Sequence, residues 1–222
     1  MQAKPPETPM PRRRGRPAKS DIDAAVVIRQ AALKAFARAG FQGASIVDIA
    51  QLAGVAKPLV HYHYASKDVL WEAAVSGAVA DLMAELASFQ KDLSALPIQD
   101  VLRKSAQQLV VFASRHPALV HIVIDETAKG GNRAQWLQEH FLLPSYAVAK
   151  NLLNGIALMQ NPAAPPLPVE HIVPMVLGVM NFAFMEAEVI RKAYGVDVHS
   201  DAYIKRHGEL LFQLLSGLLA KT

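Results

Sequence analysis

The stretch SIVDIAQLAGVAKPLVHYHYASKDVL, Ser45 to Leu70, decides how the rest of the chain is read. Ser45 carries an N-cap hydroxyl, and Asp48 follows at the three-residue spacing of a capping box. A short helix is therefore predicted from Ile46 to Ala53, stopped by Gly54 where the backbone needs positive φ. Lys57-Pro58 restarts a helix after a three-residue turn, because the missing proline N–H has no partner in a first turn anyway. Helices joined this tightly need a small residue where they touch, a glycine in the turn and a branched apolar residue to close the core. Ala50, Gly54 and Val60 stand at those positions, with Ile49, Ala53 and Val55 completing the interior. The pattern is that of a helix-turn-helix, whose second helix enters the DNA major groove with its first residues near base edges.

Four consecutive residues on that second helix, His61, Tyr62, His63 and Tyr64, span one turn and point in different directions. A His-x-His metal pair shares a face on a strand but not on a helix, so no metal is expected here. Tyr64, one turn after Val60, reads as core. Lys57, Pro58, His61, Tyr62 and His63, together with Ser45, are the candidate DNA contacts, and Lys67 at the start of the next helix is a candidate phosphate contact. A purely structural role for His61, His63 or Tyr62 stays open.

Upstream, Ile22, Val26, Leu33, Phe36 and Ala37 fall near one helical face, with Ser20 or Asp21 able to cap the start and Gly40 the end. Downstream, Ser66 caps a long helix to about Gln90. Further helices are expected near 97–115, 117–129, 133–159, 169–193 and 200–220, separated by His116-Pro117, Gly130-Gly131, the NPAAPPLP loop and Gly195. No alternation of strand period is sustained, so the fold class is all-α: an N-terminal three-helix helix-turn-helix domain followed by a larger helical domain, for which the family resemblance given below implies effector binding and dimerisation. The expected division is a basic arm at 1–19, the DNA-binding domain at 20–66 and the remainder at 67–222.

The net charge of +4 is unevenly placed. Residues 1–20 hold six Lys and Arg against Glu7 alone, a balance of +5 that leaves the rest of the chain at −1. Basicity thus belongs to the N-terminal arm and suggests a polyanionic partner met at one end. The chain has no cysteine, which excludes disulfides, zinc-thiolate sites and cysteine nucleophiles and is compatible with a cytoplasmic location. The arm lacks the apolar segment of a secretory signal. The most apolar run, Ile172 to Met185, is shorter than the roughly 20 residues a bilayer requires, so no membrane partner is expected.

Over roughly residues 24–71 the sequence resembles the tetracycline repressor (TetR) family. The likeness rests on FARAGF, on the IA…AG core and on the aromatic and Ser-Lys pair that close the segment. In that pattern Ser45 stands where a capping Thr or Ser is usual, Lys57 opens the recognition helix, Tyr64 replaces a core Phe, and Lys67 occupies the place of a phosphate-contacting lysine. Two residues depart from it: His61 stands where a backbone-contacting tyrosine is frequent, and Pro58 where glycine or a small residue is. The resemblance implies a homodimeric, all-helical transcription regulator, often a repressor, that binds double-stranded operator DNA and a small-molecule effector without a cofactor.

Arg12, Arg13, Arg14 and Arg16 add a second candidate DNA element. Arg14-Gly15-Arg16-Pro17 resembles an AT-hook core, whose slim backbone lets arginines lie in a narrow A·T minor groove, and a plain basic tail is the alternative. In the last helix the apolar stripe is wider than one core face needs. Met180, Phe184, Leu211, Leu214, Leu215 and Leu218 are therefore expected in a four-helix dimer interface, with a purely internal core as the alternative. His121, Asp125, Trp136, Tyr146, Asn181 and Phe184 are candidate effector contacts, as polar or aromatic groups amid apolar ones. An enzyme using histidines with Asp125 or Glu126 finds no nucleophile elbow, phosphate loop or metal-ligand spacing in support. The alternative function is an architectural or partner-controlled DNA-binding protein without an effector.

Overall fold

The computed structural model describes residues 19–91, 96–160, 163 and 166–219. The arginines at 12, 13, 14 and 16 and the side chains of Ser20 and Asp21 lie outside this description. No strand occurs among the described residues, and none of their helices is by itself long and apolar enough to cross a membrane.

Helix α1 (Lys19–Gly43) buries Ile28, Ala31, Ala32, Ala35 and Phe36 at helical spacing. At Gly40 the backbone leaves the helical region (φ 66, ψ 174), a conformation essentially reserved for glycine. The path then makes one more turn and sends Phe41 into the core, stacked 5.8 Å from Phe36. Helices α2 (Ile46–Ala53) and α3 (Lys57–His63) follow, and then α4 (Lys67–Lys91), whose start is capped by Ser66 Oγ accepting from the Val69 N–H at 3.1 Å.

The first core joins α1 to α3 with Leu70, Trp71, Ala74, Val75 and Ala78 of α4. It also takes in Leu119 and Ile122 of α6 (Pro117–Lys129) and Leu137 of α7 (Asn132–Leu137). The expected boundary at 66/67 consequently runs through one core rather than between two. Short helices α2 and α3 bury too little apolar surface to stand alone, and α4, α6 and α7 supply what is missing.

The second core is built by α5 (Ile98–Arg115), α8 (Leu143–Gln160), α9 (Val169–Met185) and α11 (Asp201–Leu219), with Leu102, Ala106, Val110, Ile156, Ile172 and Leu211 at its centre. Helices α5 and α11 approach closely at Gly208, where a Cβ would lie 2.9 Å from the Gln107 Cα. Beside this contact the Arg103 guanidinium pairs with Glu209 and lies 4.0 Å from the Phe212 ring centroid.

Two helices expected as single pieces are divided. The 133–159 helix is α7, a π turn at Gln138–Leu142, and α8. The 169–193 helix breaks at Glu186 into α9 and α10 (Ala187–Tyr194), bent by 70°. At that break the Glu186 N–H still donates to the Phe182 carbonyl at 3.1 Å and the Glu186 carbonyl accepts from Ile190 N–H at 3.0 Å. No helix-stopping residue was needed there, so none could be read.

Candidate DNA-binding interface

The turn between α2 and α3 is held by local hydrogen bonds. Ser45 Oγ accepts from the Asp48 N–H at 3.1 Å and donates to Asp48 Oδ2 at 2.7 Å. The carboxylate thus closes on the hydroxyl rather than on the Ser45 backbone. Gly54 takes the left-handed conformation (φ 65, ψ 31). Its N–H donates to the Gln51 carbonyl at 3.1 Å, and the Val55 N–H donates to the Ala50 carbonyl at 3.0 Å. These two bonds form a Schellman motif, which satisfies carbonyls at the end of α2 and aims α3 across it. Ala50 is buried at the crossing, and Val60 and Ile49 are wholly enclosed.

With Val60 inward, Lys57, Pro58, His61 and Tyr62 are exposed together on the opposite face of α3. Tyr62 is 74% exposed, its ring edge-on to that of His63 with centroids 5.1 Å apart. His63 is half-buried and its Nε2 has no hydrogen-bond partner. Tyr64 is buried, as its spacing predicts, and its hydroxyl donates to the Ala25 carbonyl of α1 at 3.1 Å. Burial holds its phenol above the ordinary value of 10.0, with Arg29 opposing. Lys67 is engaged within the protein: Nζ donates to the Gln42 carbonyl at 3.3 Å and lies 4.6 Å from the Phe41 ring centroid.

The six candidate effector residues do not converge on one cavity. Trp136 packs in the first core, edge-on to Trp71 with centroids 5.5 Å apart, and stacks on His140. Asp125 pairs with Lys129 beside Gly40, and His121 lies on the same helix, half-buried. Tyr146 is exposed on α8. Asn181 Nδ2 donates to the Leu177 carbonyl of its own helix at 2.9 Å, and Phe184 is buried in the second core near His199 and His207.

The expected dimer residues also separate. Met180, Phe184, Leu211 and Leu215 are already enclosed in the protomer's own second core. Only Leu214 (53%) and Leu218 (37%) face outward, joined by Leu210, Met175 and Phe182. A stripe wide enough for two surfaces is thus present, but four of the six residues belong to the inner one. An open apolar groove of about 310 Å³ runs between α9 and α11 beside the outer one.

One constellation was not read from the sequence. Glu126 is the buried charged residue of the described chain, and Arg133, seven positions later, donates to it from Nε to Oε2 at 2.8 Å. A pairing across the Gly130-Gly131 turn has no periodic signature.

These features define the class of the protein: a helix-turn-helix of DNA-binding type, carried on a larger helical body. Residues 28–74 match the family described as "Bacterial regulatory proteins, tetR family". The likeness to solved structures extends over both cores. A Clostridium perfringens chain described as a fatty acid metabolism regulator is 16% identical, with TM-score 0.66 over 86% of this chain and 97% of that one. The Bacillus subtilis transcriptional regulator FadR, in complex with stearoyl-CoA, is 15% identical with TM-score 0.61 over 86% and 96%. A tetR-family regulator from Mesorhizobium loti is 21% identical with TM-score 0.58 over 90% and 98%. No curated protein matches the sequence.

Proposed function

We propose that the protein is a cytoplasmic, homodimeric transcriptional regulator, acting as a repressor, that binds a palindromic operator through α3 and is displaced by a small-molecule effector. The observation that carries this reading is the exposed face of Lys57, Pro58, His61 and Tyr62 on a helix fixed by the Gly54 turn. Lysine and histidine there can donate to phosphates and base edges, and tyrosine can donate to the backbone or pack on sugar. Arg12, Arg13, Arg14 and Arg16 of the arm would add contacts in an adjoining minor groove.

The outward residues Met175, Phe182, Leu210, Leu214 and Leu218 favour pairing of α9 and α11 with the same helices of a second copy. Such a dimer presents two recognition helices to half-sites about 34 Å apart or a multiple of it. That the Bacillus subtilis regulator with this fold holds stearoyl-CoA supports an effector role for the C-terminal half. An effector then acts by favouring dimer geometries that no longer match the half-site spacing.

The test is a fluorescence-anisotropy titration of double-stranded DNA fragments with the full chain. The His61→Ala/Tyr62→Ala variant is expected to lose the preference for a selected fragment over random sequence. Retained preference would move base recognition away from α3.

A further inference from the structure

A single guanidinium ties three helices of the first core together. Arg133, in the first turn of α7, donates from Nε to Oε2 of Glu126 on α6 at 2.8 Å, with the Glu126 side chain only 4% exposed. Its Nη1 lies 3.7 Å from Oδ1 of Asp68 in the first turn of α4. Its Cζ stands 3.8 Å from the centroid of Phe41, where α1 turns toward α2. Phe41 and Asp68 flank the helix-turn-helix on its two chain ends, so this one side chain grips the unit at its entry and exit.

The backbone around it is held in conformations that only glycine tolerates. Gly130 (φ 72, ψ −166) and Gly131 (φ 84, ψ −168) reverse the chain between α6 and α7 and so return Arg133 onto Glu126. Gly40 adopts a similar conformation across the joint, and a Cβ there would meet Asp125 Oδ2 and Lys129 Nζ of α6, each at 3.3 Å. Helix α6 therefore runs directly against the kink of α1. A buried carboxylate with one cation partner cannot shift without drawing that cation along, since an unpaired buried charge is strongly unfavourable.

We propose that Arg133 is a positioning residue: through Glu126, Asp68 and Phe41 it fixes the pose of the helix-turn-helix relative to α6. The proposal rests on the reading of α3 as the DNA-contacting helix. The chain also carries its own reporter. Its only two tryptophans, Trp71 on α4 and Trp136 on α7, meet at this joint with centroids 5.5 Å apart.

The experiment uses the full chain and a double-stranded fragment that the wild type binds. In Glu126→Gln/Arg133→Met no charge is left buried, so the fold is kept while the grip is lost. Far-UV circular dichroism should match wild type, tryptophan emission should shift to the red, and DNA affinity should fall about 5- to 100-fold, the usual size of a coupling between sites. Glu126→Gln alone keeps an acceptor for Arg133 and should hold affinity within about twofold, below the range of such couplings. Arg191→Met, which breaks an exposed pair with Glu188 on α10, outside the first core, should change nothing. Phe41→Leu removes the ring but keeps an apolar core side chain, and provides the same readouts should the double variant lose helicity.

Wild-type affinity in a folded double variant, whatever its emission, would overturn the positioning role. Equal losses in the Arg191→Met control would overturn it too, by showing a generic charge effect. A wild-type chain that binds no fragment from a genomic pool would overturn the functional reading itself, a result distinct from wild-type binding with an indifferent double variant.

Discussion

Gly208→Ala tests how the helical body is assembled, because two opposing effects can be weighed at one atom. Gly208 sits inside α11, where alanine is preferred over glycine by about 0.8–1.0 kcal/mol on helix propensity alone. The added methyl, however, would stand 2.9 Å from the Gln107 Cα of α5, 3.1 Å from its Cγ and 3.4 Å from its Cβ. The nearest obstacle is backbone, which cannot move aside by changing a rotamer, so α5 and α11 must separate. Overpacking of this kind costs about 1–3 kcal/mol, and the clash outweighs the propensity gain. A net loss of about 1 kcal/mol is expected, or a fall in Tm of roughly 2–4 °C for a chain of this size. Gly155→Ala supplies the opposite sign. Gly155 lies within α8, and a Cβ there meets nothing within 4 Å, so propensity alone should stabilise the protein by about 0.5–1 kcal/mol. Both variants are compared by urea unfolding at one fixed protein concentration. A Gly208→Ala protein as stable as Gly155→Ala would refute the close packing of α5 on α11.

Three further outcomes follow from the same geometry. Burial raises the phenols of Tyr64 and Tyr203 above 10.0, so the folded chain retains protons that the unfolded chain releases. Their contribution to stability is complete below pH 10 and is lost as pH rises through the raised values. Tyr64→Phe should make that alkaline decline shallower while costing about 0.5–1.5 kcal/mol at neutral pH through the lost bond to Ala25; pH-dependent unfolding curves read both. Leu214→Glu/Leu218→Glu should sediment as a monomer with unchanged helicity, because both side chains are exposed in the protomer, and an unchanged dimer mass would put the interface elsewhere. Lys57→Ala should weaken binding to all DNA sequences and reduce the salt slope by about one unit; loss confined to one base pair would make Lys57 a base contact instead.

The helix-turn-helix was legible because its constraints are local. A cap, a left-handed glycine, a small crossing residue and a branched core residue are each dictated within a few positions, and Ser45, Gly54, Ala50 and Val60 occupy those roles. The helical body was legible in outline from apolar spacing. What spacing cannot report is which of two apolar surfaces a residue serves. Leu211 and Leu214 differ by three positions on one helix, yet the first is enclosed in the protomer and the second faces out. Breaks that keep their hydrogen bonds, as at Glu186, leave no residue signature. Contacts such as Arg133 with Glu126 depend on the turn between them, and the same holds for the packing of Trp136 against the first core.

The central claim is tested most directly by incubating the full chain with a pool of genomic or random double-stranded DNA and sequencing the fragments it retains. The account predicts a palindromic consensus whose half-sites lie about 34 Å or a multiple apart along the helix axis, lost when His61 and Tyr62 are both replaced by alanine. Enrichment of A·T-rich DNA without a palindrome, unaffected by those replacements, would contradict it and assign binding to the N-terminal arm.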